Sequence, residues 1–276
     1  MYKDAIEKLT DSGQRKIDYM RSSPAGYVLL SALAGAYVGF GIVLIFAVGG
    51  PIAKAGDPYL KLIMGVCFGI ALSLVIFAGS ELFTGNNMVF AVGGLCKRTG
   101  GAPVIVLFAL CYLGNFIGSA FLAWLVVKGG SLSEASQTLL LQVGSLKMNL
   151  GASELFFRGV LCNWLVCLAV WTSSRTQSDS AKLILIFWCL FAFISCGFEH
   201  SVANMTLLTL TLLFPHGPEI SFSGLMYNQA WVVLGNIVGG GMMVGAVYWF
   251  ASAEKPVADE KSRDLVESEA FLSREG

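Results

Sequence analysis

Two apolar stretches of this chain have a length that a straight membrane span cannot use. The first runs from Lys61 to about Cys96, and the second from Lys182 to Phe214. The first, as a straight helix of about 36 residues, would be about 54 Å long at 1.5 Å per residue. The hydrocarbon core of a bilayer is only about 30 Å thick. Each stretch is too long to cross once and too short to cross twice with a turn between. Each also carries polar residues in its middle: Gly79-Ser80-Glu81-Leu82-Phe83-Thr84-Gly85-Asn86-Asn87-Met88 in the first, and Gly197-Phe198-Glu199-His200-Ser201-Val202-Ala203-Asn204-Met205 in the second. Charge at membrane depth is costly and is found facing protein or a water-filled path. Unwound backbone at that depth is tolerated under the same condition. The expectation is therefore two broken helices, one interrupted over 80–87 and resuming at Met88, the other interrupted over 197–201.

Composition agrees with a membrane protein. The chain is 55% hydrophobic and 13% charged, against about a quarter charged for a soluble domain. Further spans are expected over about 26–48 (closed by Gly49-Gly50-Pro51), 103–127, 155–172 and 228–250, giving six, with a short surface helix near 135–147. Residues 1–23 lack the continuous apolar core of a signal peptide. Ile6, Leu9, Ile17 and Met20 can share one helical face, which predicts an amphipathic helix at the membrane surface. Residues 24–251 are expected to form one six-span membrane domain, and 252–276, rich in Glu and Asp, read as a disordered tail.

The two halves repeat. Gly79 and Glu81 match Gly197 and Glu199 at an offset of 118, and Leu113-Gly114-Asn115 with Gly118 matches Leu234-Gly235-Asn236 with Gly239 at an offset of 121. Three spans per half force the halves into opposite orientations, as in transporters whose site lies at the bilayer midplane. With the N-terminus in the cytoplasm, 13 Lys and Arg fall inside and five outside, namely Lys54, Lys61, Lys128, Lys147 and Arg158. That bias places both termini inside.

The same motifs, with Leu161-Cys162-Asn163-Trp164-Leu165-Val166-Cys167-Leu168-Ala169, resemble the formate/nitrite transporter family over residues 20 to 252. They favour its nitrite branch, although Asn86-Asn87 stands where that branch carries His-Thr. The resemblance implies an all-α membrane protein with the aquaporin-like six-span fold: two inverted three-span repeats with broken second and fifth helices. It further implies a homopentamer with a pore in each subunit, a bacterial inner membrane, nitrate assimilation, and small monovalent anions (nitrite, formate) as partners besides the lipid bilayer. By position, Thr84 and His200 meet at the pore centre with Asn163 nearby. Phe68, Leu72 and Phe83 narrow one side and Phe193 the other, and Lys147 draws anions into the outer vestibule. Glu199, Asn204 and Glu81 support the breaks.

The residues lend these roles independent sense. Phe68 and Leu72 are four apart and share a helical face, and Phe193 and His200 are seven apart. An apolar constriction beside one titratable donor favours a neutral acid, or an anion paired with a proton, over a bare ion. Formate and hydrosulfide remain alternatives within the family. A neutral-solute channel lacks its paired Asn-Pro-Ala motifs here, and a membrane enzyme lacks a second catalytic group or cofactor motif. The seven cysteines form no Cys-x-x-Cys pair and only two histidines are present, so no metal or other cofactor is expected. A net charge of zero gives no argument for nucleic acid.

Overall fold

The computed structural model describes residues 2–252, which are helical throughout apart from short connections. The elements are α1 (Lys3–Ser22), α2 (Pro24–Lys54), α3 (Leu60–Cys67), α4 (Ile70–Phe77), α5 (Phe83–Leu95), α6 (Ala102–Lys128), α7 (Glu134–Asn149), α8 (Ala152–Ser174), α9 (Asp179–Ser195), α10 (Ser201–Leu213), α11 (Phe222–Gly240), a π-helical turn (Gly241–Ala246) and α12 (Val247–Ser252). Among the described residues, five helical stretches are long and apolar enough to cross a membrane: Pro24–Lys54, Leu60–Phe77, Ala102–Lys128, Ala152–Ser174 and Phe222–Ser252. The fifth apolar stretch of the sequence is shared between α9 and the shorter apolar helix α10. The tail 253–276 lies outside the described residues.

The side-chain distribution is that of a protein solvated by lipid. Phe250 and Ile105 are 77% and 70% exposed, and Phe40, Phe121, Phe157 and Trp188 are exposed with them, while Ser119, Asn115, Asn163, Thr206, Asn228 and Asn236 are fully buried. Polar groups therefore line the interior, where all of these but Thr206 bond one another or the backbone. α2 packs along α6 and α8 along α11. Small residues make this possible: a Cβ at Gly118 would collide with the Ala32 backbone, and one at Gly239 with Val160. Gly114 and Gly118, and likewise Gly235 and Gly239, stand four residues apart on one face and serve packing within the chain.

Three boundaries differ from those read in the sequence. α2 does not stop at Gly49-Gly50-Pro51 but continues to Lys54. Gly50 lies against the Ser136 backbone of α7, and Pro51 stands inside the helix, where it leaves the Ala47 carbonyl without its i→i−4 donor. The first break spans only 78–82, so α5 begins at Phe83 rather than Met88. Its polar residues Thr84, Asn86 and Asn87 are helical, because backbone bonds close around them and their side chains turn inward. A further tight turn at Phe68-Gly69 separates α3 from α4.

α1 does carry the expected apolar face, with Ile6, Leu9, Ile17 and Met20 between 3% and 7% exposed. That face is not laid on lipid. It covers α5, with Gly13 against Val89, Phe90 and Thr99. At its start Tyr2 packs on Trp171 of α8 and Tyr248 of α12, under the Arg175 guanidinium. Trimming residues 1–20 would uncover this surface.

Candidate functional site

Both breaks are built from the same parts. Gly79 and Gly197 take φ of 73° and 71°, a left-handed turn that glycine alone enters without strain. The next residues run extended, and the freed backbone is captured by an asparagine from the last helix of its own half. Asn115 accepts from the Phe83 amide (2.9 Å) and donates to the carbonyls of Glu81 (2.9 Å) and Ser31 (2.7 Å). Asn236 accepts from the Ser201 amide (2.9 Å) and donates to the carbonyls of Glu199 (3.0 Å) and Gly159 (2.8 Å). This explains why the sequence repeats a Leu-Gly-Asn triplet. The glycine admits the neighbouring helix and the asparagine satisfies the broken backbone.

The breaks bring Thr84 and His200 together, with Thr84 Oγ1 2.9 Å from His200 Nε2. His200 is also the N-cap of α10: its Nδ1 accepts from the Ala203 amide at 3.1 Å. A neutral ring whose Nδ1 accepts carries its proton on Nε2, so the N–H faces Thr84. Asn163 is fully buried beside them and donates to the Thr84 carbonyl (3.1 Å) and the Asn236 carbonyl (2.6 Å). It ties the two halves at the level of the histidine.

Next to His200 the interior closes. Phe68, Leu72, Leu82, Val166, Leu190 and Phe193 surround a cavity of about 10 Å³ that His200 also lines. Such a space holds at most about one water. Phe193 stacks on the imidazole (14° between planes, centroids 5.9 Å apart), and Phe68 meets Phe193 edge-on at 5.4 Å. Two sequence expectations are corrected here. Phe83 does not narrow the cavity. It turns away to pack on Phe108 and Tyr112, because the residue ahead of it, the extended Leu82, takes the inward position. Phe193 and His200 meet through the left-handed turn at Gly197, not through a seven-residue helical spacing.

Each break carries a carboxylate with a lysine partner. Lys147 Nζ lies 2.6 Å from Glu199 Oε1, and Glu199 Oε2 accepts from Asn204 at 2.6 Å. Asn204 also donates to Asn228, whose amide donates to the Lys147 carbonyl. Glu199 therefore holds Lys147 and Asn204, and the backbone of the break is held by Asn236 instead. Glu81 is the counterpart: its Oε2 lies 2.6 Å from Lys16 Nζ and 3.4 Å from both the Tyr27 hydroxyl and the Asn86 amide. Lys16, Tyr27, Leu82, Val166 and Leu190 were not anticipated. Leu82 could have been, since it stands 118 residues before His200 in the repeat. Lys16 could not, because it comes from α1, outside both repeats. Among the described residues no three His, Cys, Asp or Glu side chains gather where a metal could be held.

The model of the formate/nitrite transporter family matches residues 3–250. The chain belongs to the formate/nitrite transporter family. The family's relatives include the nitrite transporter NirC of Escherichia coli (strain K12), 43% identical over 264 residues that cover 94% of this chain and 97% of that one. Among solved structures, an FNT family ion channel superimposes with a TM-score of 0.86 at 42% identity, covering 91% of this chain and all of that one. A pentameric formate channel with formate bound superimposes with a TM-score of 0.74 at 27% identity, covering 84% and 98%. This chain is thus a multi-pass membrane transporter of that family, and Thr84, Asn163 and His200 occupy the middle of its broken-helix core.

Proposed function

We propose that this protein conducts nitrite, and more weakly formate, through a pore in each subunit centred on Thr84 and His200. The observation that carries this reading is the Thr84–His200 pair at 2.9 Å, set beside a closed apolar cavity and between two lysine–glutamate pairs. The NirC relative and the formate-bound neighbour support the choice of anions.

In this reading the N–H donors that Lys147 and Lys16 keep free of Glu199 and Glu81 receive the anion at the two mouths. The anion sheds water against Phe68, Leu72, Leu82 and Phe193 and meets the Nε2–H of His200, displacing Thr84. The N-termini of α5 and α10 add favourable partial charge. A neutral imidazole with Nδ1 occupied has one hydrogen bond to give and no spare proton. An anion that crosses as a neutral acid therefore takes its proton from the vestibule and not from this tautomer. The architecture that fits is six spans in two inverted repeats, with α3–α5 and α9–α10 as the broken members. The equivalent bonds of Asn115 and Asn236 support it. We place it as a homopentamer in a bacterial inner membrane with both termini cytoplasmic, on the Lys and Arg bias and the pentameric neighbour.

The test is flux into liposomes with nitrite, formate, hydrosulfide and sulfate at matched concentration. Nitrite entry faster than formate, with sulfate excluded, is the expected result. Sulfate entry at the nitrite rate would overturn the reading.

A further inference from the structure

Away from the broken-helix core, α5, α6 and α11 enclose a cavity of about 810 Å³, within the ~300–1,000 Å³ range of ligand sites. It shares no lining residue with the small cavity at His200 or with the one beside Lys16 and Glu81. Phe90, Val104, Phe108, Val233, Leu234 and Ile237 make much of its wall. Leu234 and Ile237 are exposed on the outer face of α11, so the cavity opens toward lipid. Gly241, which also lines it, opens the π-helical turn Gly241–Ala246. Single turns of this kind are frequent at functional sites.

Three polar side chains line this apolar space: Asn87, Tyr112 and Gln229. Two are accounted for. The Tyr112 hydroxyl donates to Gln229 Oε1 (2.9 Å), and Gln229 Nε2 donates to the Ser201 carbonyl (3.0 Å). Asn87 differs. It is 4% exposed, and neither its Nδ2 nor its Oδ1 has a partner among the described residues. A buried amide left unpaired is costly, and no bond holds this one in its rotamer. A turn about its side-chain torsions brings the amide to the cavity that the residue lines. The repeat does not call for an amide here: the counterpart in the other half, 118 residues on, is Met205.

A ligand for this cavity comes from lipid, fills an apolar space, and offers one amide both an acceptor and a donor. The acyl chain of a phospholipid offers neither, since its polar groups stay at the membrane surface. An ester or a quinone only accepts. A protonated carboxyl does both, its carbonyl accepting from Asn87 Nδ2 and its O–H donating to Oδ1. Burial away from water favours the neutral form of a carboxylic acid, and an alkyl chain suits the wall. We propose that this cavity binds a long-chain fatty acid in its neutral form, with the carboxyl paired to Asn87 and the chain between α6 and α11. The proposal does not depend on which anion the pore conducts.

The experiment measures binding of palmitic acid and of methyl palmitate to the full chain in phospholipid nanodiscs. A diazirine-bearing palmitic acid reports where the probe sits. The ester keeps one of the two hydrogen bonds, so the acid is expected to bind about fivefold tighter. Asn87→Leu should weaken the acid about 30-fold and abolish its advantage over the ester. Ala230 is exposed and lines the cavity, so Ala230→Trp fills the space with Asn87 still in place and should weaken both probes. Apparent affinity for the acid should fall as pH rises, because the ionised form is excluded, while that for the ester stays constant. Labelling is expected on α5, α6 or α11. Equal binding of acid and ester by the unmodified chain would make the cavity a groove for any lipid chain and overturn the proposal. So would no binding, an acid preference that survives Asn87→Leu, or labelling confined to other faces. If Asn87→Leu fails to fold, the acid–ester ratio and Ala230→Trp still decide. A photo-crosslinking residue at position 230 that captures a second copy of the chain, with the fatty acid unable to compete, would assign the cavity to a subunit contact, which also overturns it.

Discussion

Leu82 and His200 occupy equivalent places: each is the extended N-cap residue of the second half-helix, and each lines the same small cavity. Leu82 offers its helix no side-chain cap, whereas His200 takes the Ala203 amide on Nδ1 and turns Nε2 to Thr84. The frame around them is symmetric, down to the asparagine that holds each break. The chemistry is placed on one side only. This separates two kinds of residue: those matched between halves close the backbone, and the unmatched His200 is the one that the proposed function assigns to the permeating species. The ion pairs show a second asymmetry. Lys147 comes from α7, the connector between the two halves, and is 15% exposed with Glu199 at 2%, while Lys16 comes from α1 and is 21% exposed with Glu81 at 14%.

The ion pairs give the largest expected contrast. Lys147→Ala leaves Glu199 buried without its cation, which costs about 3–5 kcal/mol. Lys16→Ala leaves Glu81 with partial access to water and two weak donors, a loss of about 1 kcal/mol. Thermal unfolding in detergent should separate the two variants clearly. Equal midpoints would mean that the two pairs are energetically alike despite their exposure.

Asn115→Leu and Asn236→Leu test the symmetric part. Each removes three hydrogen bonds at about 1 kcal/mol apiece and strands buried backbone, so each should cost about 3–4 kcal/mol. The two losses should agree to within about 1 kcal/mol. A large inequality between them would show that one break is held by something other than its asparagine.

Removal of residues 1–20 belongs next in size. It uncovers the buried face of α1 and the surface of α5 beneath it, and it strips Glu81 of Lys16. Lower yield of folded protein and a lower unfolding midpoint are expected. Unchanged stability would return α1 to the role of a surface helix.

How far the sequence could be read follows from what each signal depends on. The broken helices were legible because membrane thickness bounds helix length, and their common frame because the asparagine and glycine needed at each break recur at nearly one offset. His200 was legible as a polar residue that depth makes costly, whereas Thr84 and Asn163 were legible only through the resemblance of their motifs to the family. Boundaries were harder to read. Polar Asn86 and Asn87 look like unwound chain in sequence, yet a helix satisfies its own backbone and leaves only their side chains to be placed. Asn87 is buried with no partner for its amide among the described residues. Phe83 was misplaced because which of two adjacent residues faces inward depends on where the extended segment ends. Lys16 was invisible, since its contact spans 65 residues and joins a terminal helix to a repeat.

The finest test exchanges only the chemistry at the unmatched position. His200→Asn keeps a good N-cap for α10, so the cap alone predicts a stability change of only a few tenths of a kcal/mol. It keeps a polar donor facing Thr84 but removes a group whose unperturbed pKa, about 6.5, lies near the working pH. If the imidazole governs how an anion and a proton share the apolar junction, nitrite flux in the variant should lose part of its dependence on pH between about 5 and 8, the range in which histidine titrates. Current should also appear, because bare anions are then no longer held back for a proton. Flux and current measured together on the same liposomes distinguish these outcomes from simple damage, which lowers both. A variant equal to the unmodified protein in rate, current and pH profile would make His200 a capping residue like any other, and the asymmetry with Leu82 would then have no role in transport.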